Sequence, residues 1–152
     1  MQVVSRNTFA LMAAAVILLA PLAIAHNHHE LNGTWVMVPE RCDFGGQSAM
    51  QNGSVTIWDR EHNITVSRTF DLKGTGGTVA YTFGIDGRED STIHNGKAIK
   101  YKAKWEGNVL KVTTTEDGFP TVEQFSLSPE GMLILAVDRP GQPPMTLVFR
   151  RQ

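Results

Sequence analysis

From residue 31 onward the chain alternates apolar and polar side chains in short runs, and no run has the three-to-four-residue spacing of an amphipathic helix. Ile64, Val66, Phe70 and Leu72 share one face of such a run, with Thr65, Ser67, Thr69 and Asp71 on the other. Val79, Tyr81, Phe83 and Ile85 repeat the pattern. Ile99, Tyr101, Ala103 and Trp105 repeat it again, backed by an outward row of Lys100, Lys102 and Lys104. Leu110 with Val112, Phe125 with Leu127, Leu133 with Leu135 and Val137, and Leu147 with Phe149 carry it to the end. Period-two alternation predicts half-buried strands. They are expected over 31–38, 54–60, 64–72, 78–84, 89–94, 97–106, 109–115, 121–128, 132–138 and 145–151. Residues 39–52 form a long connection with room for one helical turn.

The joints between these runs are turns rich in residues that tolerate positive φ: Lys73-Gly74-Thr75-Gly76-Gly77, Asp86-Gly87, Asn95-Gly96, Glu106-Gly107-Asn108, Asp117-Gly118 and Pro129-Glu130-Gly131. Connections this short allow only antiparallel neighbours. The fold class expected is therefore all-β, an antiparallel up-and-down meander. One apolar face per strand suits a closed barrel of about eight to ten strands. Closure also removes exposed strand edges. A two-sheet sandwich is the alternative, and it usually needs longer crossovers than this chain offers.

The first residues read differently. Arg6 precedes an uncharged apolar stretch from Phe9 to Ala25 that ends Ala23-Ile24-Ala25 and is interrupted by Pro21. A positive start, a short apolar core and an A-x-A end describe a cleaved export signal, residues 1–25. The remaining residues 26–152 form one barrel domain, expected in a periplasm or outside the cell. No later stretch approaches spanning length, so stable membrane insertion is not expected. Arg6 is the signal's only charge, which leaves 13 basic against 15 acidic residues. That balance argues against a nucleic-acid partner. The lone Cys42 excludes an internal disulfide. It is either a half-buried thiol in a monomer or the link of a disulfide-joined dimer.

Short motifs resemble the calycins, the group that holds lipocalins and fatty-acid-binding proteins. Leu31-Asn32-Gly33-Thr34-Trp35 resembles their Gly-x-Trp opening, and Val148-Phe149-Arg150-Arg151 their last strand. The resemblance implies that Trp35 plugs one end of the barrel under a basic residue of the last strand. Asp43-Phe44-Gly45 is similar to a segment that follows the first strand in fatty-acid-binding proteins. The stretches 81–90, 96–100 and 106–110 follow their middle meander in spacing. Two features depart from the group. The connection at 39–52 is too short for the helical lid of fatty-acid-binding proteins, and their Arg-x-Tyr clamp falls at Leu147-Val148-Phe149. The lipocalin Thr-Asp-Tyr turn is also missing. The resemblance implies a lipocalin-like barrel and leaves the ligand open.

Candidate chemistry lies inside. Arg68 sits between Val66 and Phe70 on an inward face, and Glu123 shares a face with Phe125 and Leu127. One expectation is that Arg68 binds the acidic head of a small apolar or amphiphilic ligand, with Tyr81, Phe83, Tyr101, Trp105 and Glu123 lining the interior. The competing expectations are an internal Arg68–Glu123 pair, since a buried charge without a partner is costly, or an arginine at the barrel mouth with its head in water. If the aromatic residues fill the interior, the chain is instead an envelope-structural or protein-interaction module. No nucleophile elbow or triad spacing marks an enzyme. Cleavage after Ala25 would expose His26-Asn27-His28, and an amine with His28 in third place can hold Cu(II) or Ni(II). His26 could also bind copper through its amine and ring, and a solvated leader without metal or any other cofactor is the remaining reading. Trp58, on a polar face beside Thr56, is a candidate contact anchor.

Overall fold

The computed structural model describes residues 28–72, 75–94 and 96–152. The expected export signal, residues 1–25, and His26 lie outside the described residues. Ten strands follow a short 3₁₀ turn at His28–Leu31: β1 (Gly33–Met37), β2 (Asn52–Arg60), β3 (Asn63–Leu72), β4 (Thr75–Gly84), β5 (Asp86–His94), β6 (Lys97–Glu106), β7 (Val109–Glu116), β8 (Phe119–Leu127), β9 (Leu133–Asp138) and β10 (Met145–Arg151). They form one antiparallel sheet in the order β4-β3-β2-β1-β10-β9-β8-β7-β6-β5. Apart from the pairing of β1 with β10, every ladder joins strands adjacent in sequence, β4 with β5 excepted, and the sheet curls into a nearly closed meander barrel. The β1–β2 connection holds one 3₁₀ turn, Pro39–Arg41, and a single bridge from Asp43 to Thr146. No lid covers the barrel there.

The meander barrel expected from patterning is present, with one gap in its wall. β4 and β5 are the two ends of the sheet and share no ladder. The residues of β5 explain this. Its register shifts between Asp86 and Glu89, around Gly87 at φ +78°, and Arg88, Glu89 and Asp90 are exposed. A bulge and a run of charges are what discourages pairing at a strand edge.

Strand ends also move where turn residues were read too literally. Gly76 and Gly77 pair with Asp71 and Phe70, so β4 starts three residues earlier than predicted. Pro120 enters β8 opposite Thr115, at a position beyond the last β9 partner, where its missing N–H interrupts no ladder.

Alternation sets the core as expected. Trp35, Val55, Ile57, Ile64, Val66, Leu110, Val112, Phe125, Leu133 and Phe149 have no exposed surface, and they fill the barrel from the β1 entrance to mid-height. Trp35 donates its indole N–H to Leu31 O at 2.9 Å. Arg151 lies over the Trp35 ring at 4.2 Å and donates to Asn32 O at 2.6 Å and Glu30 O at 2.7 Å. Gly33 is required beneath that clamp. Its φ is +129°, and a Cβ there would stand 2.8 Å from an Arg151 nitrogen. The Gly-x-Trp motif and the last-strand arginine thus form one plug, which closes this end of the barrel.

Candidate binding site at the open end of the barrel

The opposite end carries the β1–β2, β7–β8 and β9–β10 connections. There the inward faces change from aliphatic to charged. Arg68 projects inward from mid-β3, and Glu123 from mid-β8 across the barrel. They form a two-pronged pair, Nη1 to Oε1 at 2.6 Å and Nη2 to Oε2 at 2.5 Å. The side chains are 15% and 7% exposed, so the pair sits in a low-dielectric interior. The guanidinium lies 5.7 Å from the Phe125 ring centre. Of the expectations for Arg68, the internal pair is the one observed. The head-group role therefore cannot rest on its paired nitrogens. Its Nε is buried and meets no acceptor among the described residues.

The ion pair separates two cavities. One, of about 190 Å³, is bounded by Tyr81, Phe83, Ile99, Glu116 and Phe119 together with the pair and Arg139. The other, of about 220 Å³, is walled by Phe70, Leu135, Val137, Met145 and Leu147, with Phe44 and Met50 from the β1–β2 connection, and again by the pair and Arg139. Two guanidinium groups face one carboxylate in this second, more apolar cavity. Arg139 is half-buried and makes no ion pair among the described residues. Burial raises the Tyr81 phenol above its usual pKa, against the opposing pull of Arg68.

The structure brings together four of the residues expected to line the interior, Arg68, Tyr81, Phe83 and Glu123. Phe83 is 1% exposed and closes the floor rather than offering a free face. Tyr101 contacts Phe83 edge-on at 5.0 Å, and its hydroxyl donates to Asp90 at 3.2 Å. It also accepts from Gly84 N at 3.5 Å, spanning the β4–β5 gap. Trp105 stands at the other end of the barrel, beside the N-terminal turn. Its ring stacks on His28 with centroids 3.9 Å apart and planes 7° from parallel. A metal held by His28 would have to break or accommodate that stack. Among the described residues no group of three or more His, Cys, Asp or Glu is placed to hold a metal.

Cys42 is half-buried against β10. Its sulfur donates to Val38 O at 3.3 Å and accepts from Val148 N at 3.2 Å. Burial raises its pKa, and the Val148 N–H opposes that rise.

Arg139 and Phe119 were not singled out from sequence, although the signal was present. Leu133, Leu135 and Val137 alternate inward, and one more step of the same period reaches Arg139. Phe119 likewise precedes Thr121, Glu123 and Phe125 on one face. Phe44 and Met50 lie in irregular backbone, where no period exists to extend.

No family model matches the chain. No curated protein matches it. Solved structures do. The wild-type fluorescent protein UnaG superposes with a TM-score of 0.65 at 16% identity, over 82% of this chain and 98% of that one. A secretory abundant heat soluble protein from Ramazzottius varieornatus gives 0.63 at 14% identity, over 81% and 96%. A Schistosoma mansoni fatty-acid-binding protein in complex with arachidonic acid gives 0.61 at 13% identity, over 82% and 98%. These likenesses span nearly the whole described barrel, and they establish that the chain has a calycin-like fold.

Proposed function

We propose that the chain is exported and that its barrel binds a small amphiphile with an anionic head, without catalysing a reaction on it. The observation that carries this reading is the apolar cavity of about 220 Å³ with Arg139 and the Arg68–Glu123 pair at its wall. The ligand's chain would lie against Phe70, Leu135, Val137, Met145 and Leu147, and its head would meet Arg139. The similar barrels include one that holds arachidonic acid. The cavity here is below the roughly 300–1,000 Å³ usual for drug-sized ligands, which favours a shorter chain. Burying about 200 Å² of ligand apolar surface contributes about 5 kcal/mol. A charge-assisted hydrogen bond adds about 1.5–3 kcal/mol. Against an association cost of at least about 4 kcal/mol, these terms leave about 2.5–4 kcal/mol, which suits binding in the millimolar range.

Calorimetry with octanoate, octanol and palmitate tests the reading. Octanoate is expected to bind, octanol to bind at least about tenfold more weakly, and palmitate to fit poorly. Equal binding of octanoate and octanol would remove the head-group role. No binding of any of the three would favour the second reading, a filled barrel acting as a structural or interaction module. The solid core from Trp35 to Phe125 supports that alternative. Export is tested separately, by sequencing the N-terminus of the processed protein for a start at His26.

A further inference from the structure

The outer wall of the barrel has two unlike halves. Over β5–β7 charged side chains are interleaved with Ser91, Thr113 and Thr115, with Lys100 meeting Glu89 at 3.1 Å and Lys104 meeting Glu106 at 2.7 Å. Over β2–β4 the three middle outward rows are uncharged and mostly hydroxylated, with Arg60 and Asp71 at the two ends of the face. Strand register places Trp58, Thr65 and Thr82 in one cross-strand row. Thr56, Ser67 and Ala80 form the next, and Ser54, Thr69 and Thr78 the third. No residue in these rows is charged.

Three hydroxyl pairs run across this wall: Thr34 with Thr56 at 3.1 Å, Thr65 with Thr82 at 2.9 Å, and Thr69 with Thr78 at 2.8 Å. Each pair uses one of its two protons internally and keeps a donor and spare lone pairs for an outside partner. Beyond the third row, a shallow depression of about 240 Å³ is bounded by Asn52, Gly53, Ser54, Thr69 and Asp71. At the other side of the rows stands Trp58, 55% exposed. Four residue steps along the strand lead from Ser54 to Trp58, about 13 Å at the usual rise.

We propose that this wall binds a neutral polysaccharide. The indole of Trp58 offers a flat apolar face to the C–H side of a sugar ring. The threonine pairs exchange hydrogen bonds with ring hydroxyls, and the depression, with the Asn52 amide and the Asp71 carboxylate, receives a further ring. Charge complementarity selects this occupant. An anionic polymer would call for lysine or arginine in the rows. A lipid surface would call for a basic and apolar face. A protein interface of ordinary composition would place several large apolar residues at its centre. An uncharged polyhydroxyl chain matches what the wall presents.

The test is retention of the exported protein on insoluble cellulose, chitin and starch, at physiological and at raised salt. Retention on at least one polymer is expected, with little salt dependence. Trp58→Ala and Thr69→Lys should each weaken it at least tenfold, and Trp58→Tyr should preserve most of it. Circular dichroism and thermal melting confirm that each variant is folded. Arg139→Ala, which acts inside the barrel, should leave retention unchanged while impairing octanoate binding, so this wall and the interior are scored independently. Lack of retention on all three polymers, retention of Trp58→Ala equal to that of the parent, or release by salt would each overturn the proposal.

Discussion

Replacing Glu123 with Ala isolates the energetics of the buried pair. The substitution removes the carboxylate and leaves the Arg68 guanidinium, 15% exposed, facing Phe125 and the apolar wall. Losing one partner of a buried pair typically costs about 3–5 kcal/mol. The modest exposure of Arg68 places this case near the lower end, about 3 kcal/mol. For a domain of about 120 residues the unfolding entropy is about 0.25 kcal/mol/K, so the melting temperature should fall by about 12 °C. The companion experiment is Arg68→Met with Glu123→Leu. It removes both charges at similar volume and should return stability to the parent's level or above it. Thermal and urea unfolding, followed by circular dichroism with the urea slope checked for constancy, measure both. A single-variant cost under about 1 kcal/mol would show that water solvates the pair. A double variant as unstable as the single one would show that shape, not the orphaned charge, sets the cost. Either result would refute the reasoning.

Other predictions rest on separate parts of the fold. Gly33→Ala should destabilise by about 1–3 kcal/mol, because φ +129° and the Arg151 guanidinium both oppose a Cβ, and denaturant unfolding reads the loss. Arg139→Ala should weaken octanoate binding about tenfold while changing the melting temperature little, since Arg139 pairs with no described carboxylate. Cys42 should react with a disulfide reagent at pH 8 at least about tenfold more slowly in the native than in the urea-unfolded protein, because burial raises its pKa and Val148 N–H occupies its sulfur. The raised Cys42 and Tyr81 values carry a pH signature. Above pH 9 for Cys42 and pH 10 for Tyr81, the unfolded chain loses the proton first, so native stability should fall as pH rises. Melting curves from pH 8 to 11 should show this, and Cys42→Ala with Tyr81→Phe should flatten it.

The sequence was most informative where a residue's role follows from its place in an alternating run. The strand order, the inward rows and the Arg68–Glu123 alternative all came from period two, because a half-buried strand has two faces and only one can meet the core. The Trp35 plug came from resemblance instead, since nothing in the alternation tells that Arg151 reaches back across the chain to cover that ring. What escaped reading was governed by edges and voids. The β4–β5 gap depends on a bulge at Gly87 and on the charges of Arg88, Glu89 and Asp90, which look in sequence like an ordinary polar strand.

The cavities depend on volume, which alternation does not encode. A strand pattern assigns Phe83, Tyr101 and Trp105 the same inward sense, yet their heights along the barrel differ. Phe83 becomes floor, Tyr101 spans the gap, and Trp105 falls below the plug under His28. Height decides function here because the interior changes character along its axis. Near Trp35 the inward rows are large enough to meet at the centre and exclude any guest. At the level of Arg68 and Glu123 two long polar chains replace them, and their charged ends must meet each other to be tolerated. Beside the pair lies the cavity that Arg139 and the apolar wall of β9 and β10 also line. The Arg68–Glu123 pair therefore borders the proposed ligand cavity, and Arg68→Met with Glu123→Leu should fill that cavity and weaken octanoate binding while keeping stability at or above the parent's level.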